Sequence, residues 1–229
     1  MGSKKTSTAI KICGITKATQ AKAIASLGVD AIGVIGVEKS PRFVSEEKRR
    51  NIFNCIENFS STLQRVWVIA DMDRSQIRKA LEGDGTPSVI QLHGYESPKL
   101  CEDLRREYPN IQWWKAIQIR TSLDISKTHN YEGAADALLL DAWSQTALGG
   151  TGNRLPLNLI QELKFQIPWW LAGGISAEWI PEILCQVNPF GIDASSRLEK
   201  SPGVKDLELV NNLVLAVKGM DERFSQDRN

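Results

Sequence analysis

Short apolar runs alternate with amphipathic stretches along almost the whole chain. The runs fall at 9–13, 31–35, 65–70, 88–92, 113–119, 137–141, 169–173 and 190–194. Most are near-continuously apolar, the pattern of strands covered on both faces in a parallel sheet. Between them lie stretches with helical spacing at 17–27, 46–57, 74–81, 98–108, 156–163, 177–187 and 207–217. The segment between the fifth and sixth runs is weaker and predicts only a short helix around 122–127.

Several helix starts carry their own signals. Ser45 precedes Glu46 and Glu47, so a hydroxyl can cap while carboxylates meet the positive helix end. Ser97-Pro98 and Ser176-Ala177-Glu178 repeat that logic, and Gly28 and Gly83 suit helix ends. Eight strand–helix units close naturally into an α/β (βα)8 TIM barrel. An open doubly wound sheet is the alternative architecture. The expected single domain spans 8–218, with flexible termini at 1–7 and 219–229.

Composition narrows the partners. The 229 residues are 42% hydrophobic and 24% charged, with a formal net charge of +1. A sizeable core is possible, and the charge balance argues against a nucleic-acid binder. No apolar run reaches the length of a membrane span, and the first residues lack a signal-peptide core. Cys13, Cys55, Cys101 and Cys185 form no C-x-x-C pair and no metal-spaced cluster, so no metal is expected. Cys55, Cys101 and Cys185 fall in helical stretches and read as buried, inert thiols in a reducing, cytoplasmic setting. No exposed seam marks an oligomer interface, and a monomer is favoured.

In a barrel the strand ends and following loops share one mouth. Those positions form a polar set: Cys13, Arg42, Asp71, Gln91 with His93, Lys115, Asp141, Gly173-Gly174, and Asp193 with Ser195-Ser196. Cys13 is either a reactive base or a small core residue. Asp141 closes an apolar strand, where desolvation would suit it to donate a proton; a turn-forming role is the alternative. Gln91 and His93 alternate with Leu92 and so point the same way. Arg42, in the stiff Ser40-Pro41-Arg42 loop, is either a carboxylate grip or a surface charge.

Gly173-Gly174 opens a helix and lets backbone amides approach an anion, while Asp193-Ala194-Ser195-Ser196 adds further donors. Together they point to a phosphate near strands seven and eight. Gly149-Gly150-Thr151-Gly152 is a lid candidate or a plain flexible loop. The tryptophan pairs at 113–114 and 169–170 begin strands, opposite the mouth, and read as packing.

These stretches together resemble the phosphoribosylanthranilate isomerase family of tryptophan biosynthesis, from Lys11 to about Leu207. The most specific piece is Lys11-Ile12-Cys13-Gly14-Ile15-Thr16. Supporting pieces are Lys39-Ser40-Pro41-Arg42, Gln91-Leu92-His93-Gly94, Leu139-Leu140-Asp141, Gly149-Gly150-Thr151-Gly152, Gly173-Gly174 and Asp193-Ala194-Ser195-Ser196. The resemblance implies a barrel without metal or organic cofactor. It also implies an Amadori rearrangement of a small phosphorylated substrate, with Asp141 as general acid and Cys13 as general base. Arg42 would meet the anthranilate carboxylate. Gln91, His93, Gly150, Gly152, Gly173, Gly174, Asp193, Ser195 and Ser196 would complete the binding site.

Two positions depart from the family pattern. Asn153 stands where a lysine is usual, and Arg197 where a glycine usually follows the serine pair. Lys11 is the candidate for lowering the Cys13 pKa. Other readings are a different phosphate-binding barrel enzyme, which would usually place lysine or serine at strand one, and an inactive barrel serving as a binding protein.

Overall fold

A computed structural model describes residues 7–142 and 154–226. Eight parallel strands close into one barrel: β1 (Ala9–Cys13), β2 (Ala31–Ile35), β3 (Gln64–Ile69), β4 (Val89–Leu92), β5 (Gln112–Ile119), β6 (Ala137–Ala142), β7 (Trp169–Leu171) and β8 (Gly191–Ala194). The barrel shuts where β8 pairs with β1, in a register that sets Lys11 beside Asp193. The helices are α1 (Ala18–Ala25), α2 (Glu46–Phe59), α3 (Arg74–Ala80), α4 (Pro98–Glu107), α5 (Ser122–Thr128), α6 (Ile180–Gln186) and α7 (Leu207–Gln226). Ser45 and Ser97 accept the amides of Lys48 and Leu100, as their positions predict, whereas Ser176 makes no side-chain cap.

Alternation along each strand sorts side chains into two cores. Residues facing the helices, such as Ile10, Ile12, Ile32, Ile90 and Leu138, form the larger one. Residues facing the barrel axis, including Ala31, Val66, Val89, Leu139 and Ala172, form the smaller one. Trp114 and Trp170 stack there with ring centroids 4.7 Å apart. They fill the barrel toward its amino-terminal end, which leaves the carboxyl end for the site. The expectation of buried helix thiols is met for Cys101 but not for the half-buried Cys55 or the exposed Cys185.

Four further features depart from the sequence expectation. The helix expected over 156–163 is reduced to a 3-10 turn at Leu157–Leu159 and a further i→i+3 bond from Leu163 to Ile160. Leu157, Ile160 and Leu163 recur every three residues, which fits 3-10 geometry better than a 3.6-residue turn. The stretch at 177–187 likewise begins with a 3-10 turn, Ala177–Trp179, before α6.

The expected flexible tail from 219 is instead helix through Gln226. Met220 is buried, and Asp221 accepts hydrogen bonds from the Thr8 amide and hydroxyl at 2.7 and 3.0 Å. Finally, a small antiparallel hairpin, β9 (Glu199–Ser201) and β10 (Val204–Lys205), follows β8. No helix among the described residues is long and apolar enough to cross a membrane.

Candidate active site

The carboxyl ends of the strands surround a cavity of about 490 Å³. Cys13 and Asp141 both line it, although 128 positions separate them in sequence (141 − 13). The closed sheet brings together what the chain order keeps apart. Both side chains are nearly fully buried.

Cys13 sits in a charged but water-poor setting. Its strand neighbour across the β1–β2 pair is Gly33. A Cβ built on Gly33 would lie 2.7 Å from the Cys13 sulfur and 3.1 Å from its Cα, so only glycine leaves room for the thiol. Gly33→Ala is therefore expected to displace the sulfur and cost about 1–3 kcal/mol through overpacking. Thermal denaturation should show a Tm several degrees lower.

Lys11, one pleat deeper, donates to the Asp193 carboxylate at 2.8 Å and also interacts with Cys13. Burial works against the Lys11 charge, but Asp193 and Cys13 outweigh it and hold the ammonium above its ordinary pKa. For Cys13 the balance runs the other way. Burial pushes the thiol up, Lys11 and Lys205 pull it down, and the Asp193 carboxylate adds to the rise. The expectation that Lys11 lowers this pKa is met in direction, yet desolvation and Asp193 prevail.

Asp193 also lines the cavity, but its partner is Lys11. A carboxylate cannot donate to a phosphate, so any contact of the Asp193 side chain with a ligand is with another part of it. Asp193 is also the counter-ion beneath Cys13.

Arg42 lies at the mouth and is buried. Its Nε and Nη2 close on the Glu199 carboxylate of β9 at 2.7–3.1 Å. The fork expected to grip a ligand carboxylate is thus already paired. Among the described residues, Nη1 is the Arg42 nitrogen left without a partner. Glu199 also accepts from Lys205 of β10 at 2.7 Å. Burial raises the Glu199 carboxyl, but hydrogen bonds from Arg42 and Lys205 hold it below its usual range. Lys205 continues to the Ser195 carbonyl at 3.0 Å and hydroxyl at 3.3 Å.

Sequence reasoning missed Glu199 and Lys205. The Pro202-Gly203 turn between them was the available signal.

Gly173, Gly174, Ser195, Ser196 and Arg197 line one side of the cavity. Gly173 and Gly174 have φ of 95° and 63°, a backbone turn that side-chain-bearing residues resist. The Ser195 hydroxyl donates to the Cys13 carbonyl at 3.0 Å, which leaves its backbone amide, rather than the hydroxyl, for an anion. Arg197, the residue in place of the usual glycine, is exposed at the rim.

Gln91 and His93 line the cavity on the β4 side and hydrogen-bond each other at 2.9 Å. Gly150, Gly152 and Asn153 lie outside the described residues.

Two further strand-end residues point elsewhere. Lys115 donates to the Leu92 and Gly94 carbonyls and to Glu96, at 3.2, 2.7 and 2.8 Å, so all three ammonium protons are used. Asp71, at φ 48°, accepts from the Tyr95 amide at 2.7 Å. Both brace the loop after β4 and do not line the cavity.

A thiol and a carboxyl group facing one cavity at the strand ends, beside a glycine turn after β7, define a (βα)8 barrel with a site of the enzyme type. The comparisons with known proteins agree and go further. The family model described as N-(5'phosphoribosyl)anthranilate (PRA) isomerase matches residues 10–216. The N-(5'-phosphoribosyl)anthranilate isomerase of Nostoc punctiforme is 39% identical over 204 residues, covering 89% of this chain and 95% of that protein. The crystal structure of phosphoribosyl anthranilate isomerase from Thermotoga maritima superposes with a TM-score of 0.82 at 28% identity, covering 93% of this chain and 99% of that one. A related structure, at TM-score 0.77 and 27% identity with the same coverage, is a complex with reduced 1-(o-carboxyphenylamino)-1-deoxyribulose 5-phosphate. The chain belongs to the N-(5'-phosphoribosyl)anthranilate isomerase family.

Proposed function

We propose that this protein converts N-(5-phosphoribosyl)anthranilate to 1-(2-carboxyphenylamino)-1-deoxyribulose 5-phosphate, a step of tryptophan biosynthesis in the cytoplasm. The observation that carries this reading is Cys13 and Asp141 facing one buried cavity. The ligand in the solved relative, a reduced form of that product, supports it.

Asp141 protonates the ribose ring oxygen. As the bond from that oxygen to C1 breaks, the anilino nitrogen lone pair forms a Schiff base. Cys13, as thiolate, then removes the proton on C2, and the freed electron pair gives an enolamine. Loss of the C2 hydroxyl proton and protonation at C1 yield the ketone. Atoms and electrons balance without oxidant or cofactor. The Gly173-Gly174 turn and the amides of Ser195 and Ser196 hold the phosphate.

Arg42 presents Nη1 to the anthranilate carboxylate while Glu199 fixes its plane. Arg42→Ala is expected to raise KM about tenfold or more with a smaller change in kcat, the pattern of lost uniform binding. Steady-state kinetics read this directly, and an unchanged KM removes Arg42 from the ligand site.

The functional test is the enzyme-dependent loss of phosphoribosylanthranilate fluorescence with purified protein. Decay proportional to enzyme concentration is expected. Decay no faster than the spontaneous loss overturns the isomerase reading and favours a barrel that only binds.

A further inference from the structure

The structure assigns a positioning role to Gln91 and His93: their hydrogen bond fixes the Nε2–H tautomer of His93, which orients the Asp141 carboxyl for proton delivery. This inference rests on the reading of Asp141 as the acid.

Three observations carry it. First, the side chains line up. Gln91 Nε2 is 2.9 Å from His93 Nδ1, and His93 Nε2 is 3.6 Å from Asp141 Oδ2. The strand register explains why. Val89, Gln91 and His93 alternate toward the axis at the end of β4, as Ala137, Leu139 and Asp141 do on β6, so the pair reaches across β5.

Second, the donor–acceptor order has one consistent solution for a neutral ring beside an ionised Asp141, the state left once the acid has delivered its proton. A carboxylate accepts only, so the nitrogen facing it must then carry the proton. Nδ1 then has a lone pair and needs a donor, which the Gln91 amide supplies. The reverse amide orientation would set a bare Nε2 against a carboxylate. The 3.6 Å gap exceeds a hydrogen bond, and among the described residues the buried His93 Nε2 has no closer partner. Catalytic contacts are often long before substrate arrives and shorten in the complex.

Third, the strand end carrying His93 is braced. The His93 amide bonds the Ile69 carbonyl at 2.8 Å. Glu96 accepts from the amides of Asp71 and Gly94 at 2.8 and 3.0 Å and from Lys115 at 2.8 Å. A loop held at its base by the buried Glu96 is what a positioning group needs, because looseness of the supporting residues transmits to the acid. Once His93 closes on Oδ2 in the complex, the proton that Asp141 delivers is left on Oδ1, turned toward the ring oxygen.

The test joins spectroscopy with kinetics. The chain has only two histidines, so 15N-histidine spectra assign His93 by comparison with His93→Asn. The wild type should show a protonated Nε2 and an unprotonated Nδ1. An Nδ1–H tautomer or a doubly protonated ring overturns the proposal.

His93→Asn removes the donor at the Nε2 position and should lower kcat about 10- to 100-fold, the scale of a misplaced catalytic group, with KM within about threefold. His93→Gln places an amide N–H near that position and should recover most of the loss. Gln91→Leu should reduce kcat and change the His93 nitrogen signals together. A raised KM with unchanged kcat in His93→Asn makes these residues substrate contacts and overturns the positioning role. If His93→Asn does not fold, the wild-type spectrum and the kinetics of His93→Gln and Gln91→Leu still decide. Absence of turnover in the wild type would instead remove the isomerase reading, a separate outcome.

Discussion

Asp141→Asn is expected to lower kcat by at least about 10²-fold and as much as about 10⁴-fold, the range for removing a general acid. The substitution keeps the volume and planar shape of the side chain but removes its acidic proton. Ring opening then depends on water or on the spontaneous reaction. Binding should survive, because the phosphate turn and Arg42 are untouched, so the affinity for the reduced product analogue should stay within about threefold.

The same change has a distinctive stability signature. Asp141 and Asp193 repel within the barrel, and this repulsion contributes to holding the Asp193 carboxyl above its usual range, where burial is the largest cause. Where both carboxylates are ionised, removing one of the two like charges relieves that repulsion. The Asn variant should thus be at least as stable as the parent, a trade of activity against stability typical of active-site charge. A calorimetric Tm unchanged or raised, together with the rate loss, supports the assignment. Full activity sinks it. A lost rate with a collapsed Tm makes Asp141 a structural residue instead.

The strands were legible because each is buried on both faces and writes itself as an apolar run. Limits for β1 and β2 agree with the sequence reading residue for residue, and the others shift by one or two positions. The strand-end positions of Cys13 and Asp141 were legible for a related reason, but each residue alone left a structural role open, and only the set of strand-end residues and the family resemblance favoured chemistry. Helix limits were less legible where tertiary contacts override local signals. Gly219 looks like a helix end, but the buried Met220 and the bond from Thr8 to Asp221 carry α7 past it. Polar partnerships were hidden altogether. Arg42 and Glu199 are 157 positions apart, as the ion pair of a closed barrel can be, and neither residue alone shows that it has a partner. Their pairing changes the chemistry of the mouth, since a free guanidinium and a half-occupied one bind a carboxylate differently.

Cys13 should behave as a buried thiol that ionises with difficulty in the ligand-free enzyme. The order of effects gives the sign: desolvation disfavours the thiolate most, Lys11 opposes it, and Asp193 sides with burial. The alkylation rate of the Cys13-bearing peptide, followed by mass spectrometry, should therefore climb through neutral pH. Its inflection should lie above the ordinary thiol range, where an unperturbed cysteine would have levelled off.

The value of kcat/KM should follow, rising about tenfold per pH unit while the thiolate remains a minor species, until another group titrates. An inflection of alkylation well below the ordinary thiol range would show that Lys11 and Lys205 win, and would reverse the assignment of the dominant cause. Cys13→Ala removes the base altogether and should cost at least about 10²-fold in kcat at every pH, abolishing the rise rather than shifting it. Cys13→Ser should resemble alanine, because a hydroxyl is far less acidic than a thiol and the same burial opposes its charge. If Cys13→Ala keeps the pH rise and the rate, the base is another group and the mechanism fails. If it keeps the rise at a much lower rate, the titrating group belongs elsewhere in the Lys11–Asp193–Lys205 surroundings, and Cys13 contributes without setting the profile.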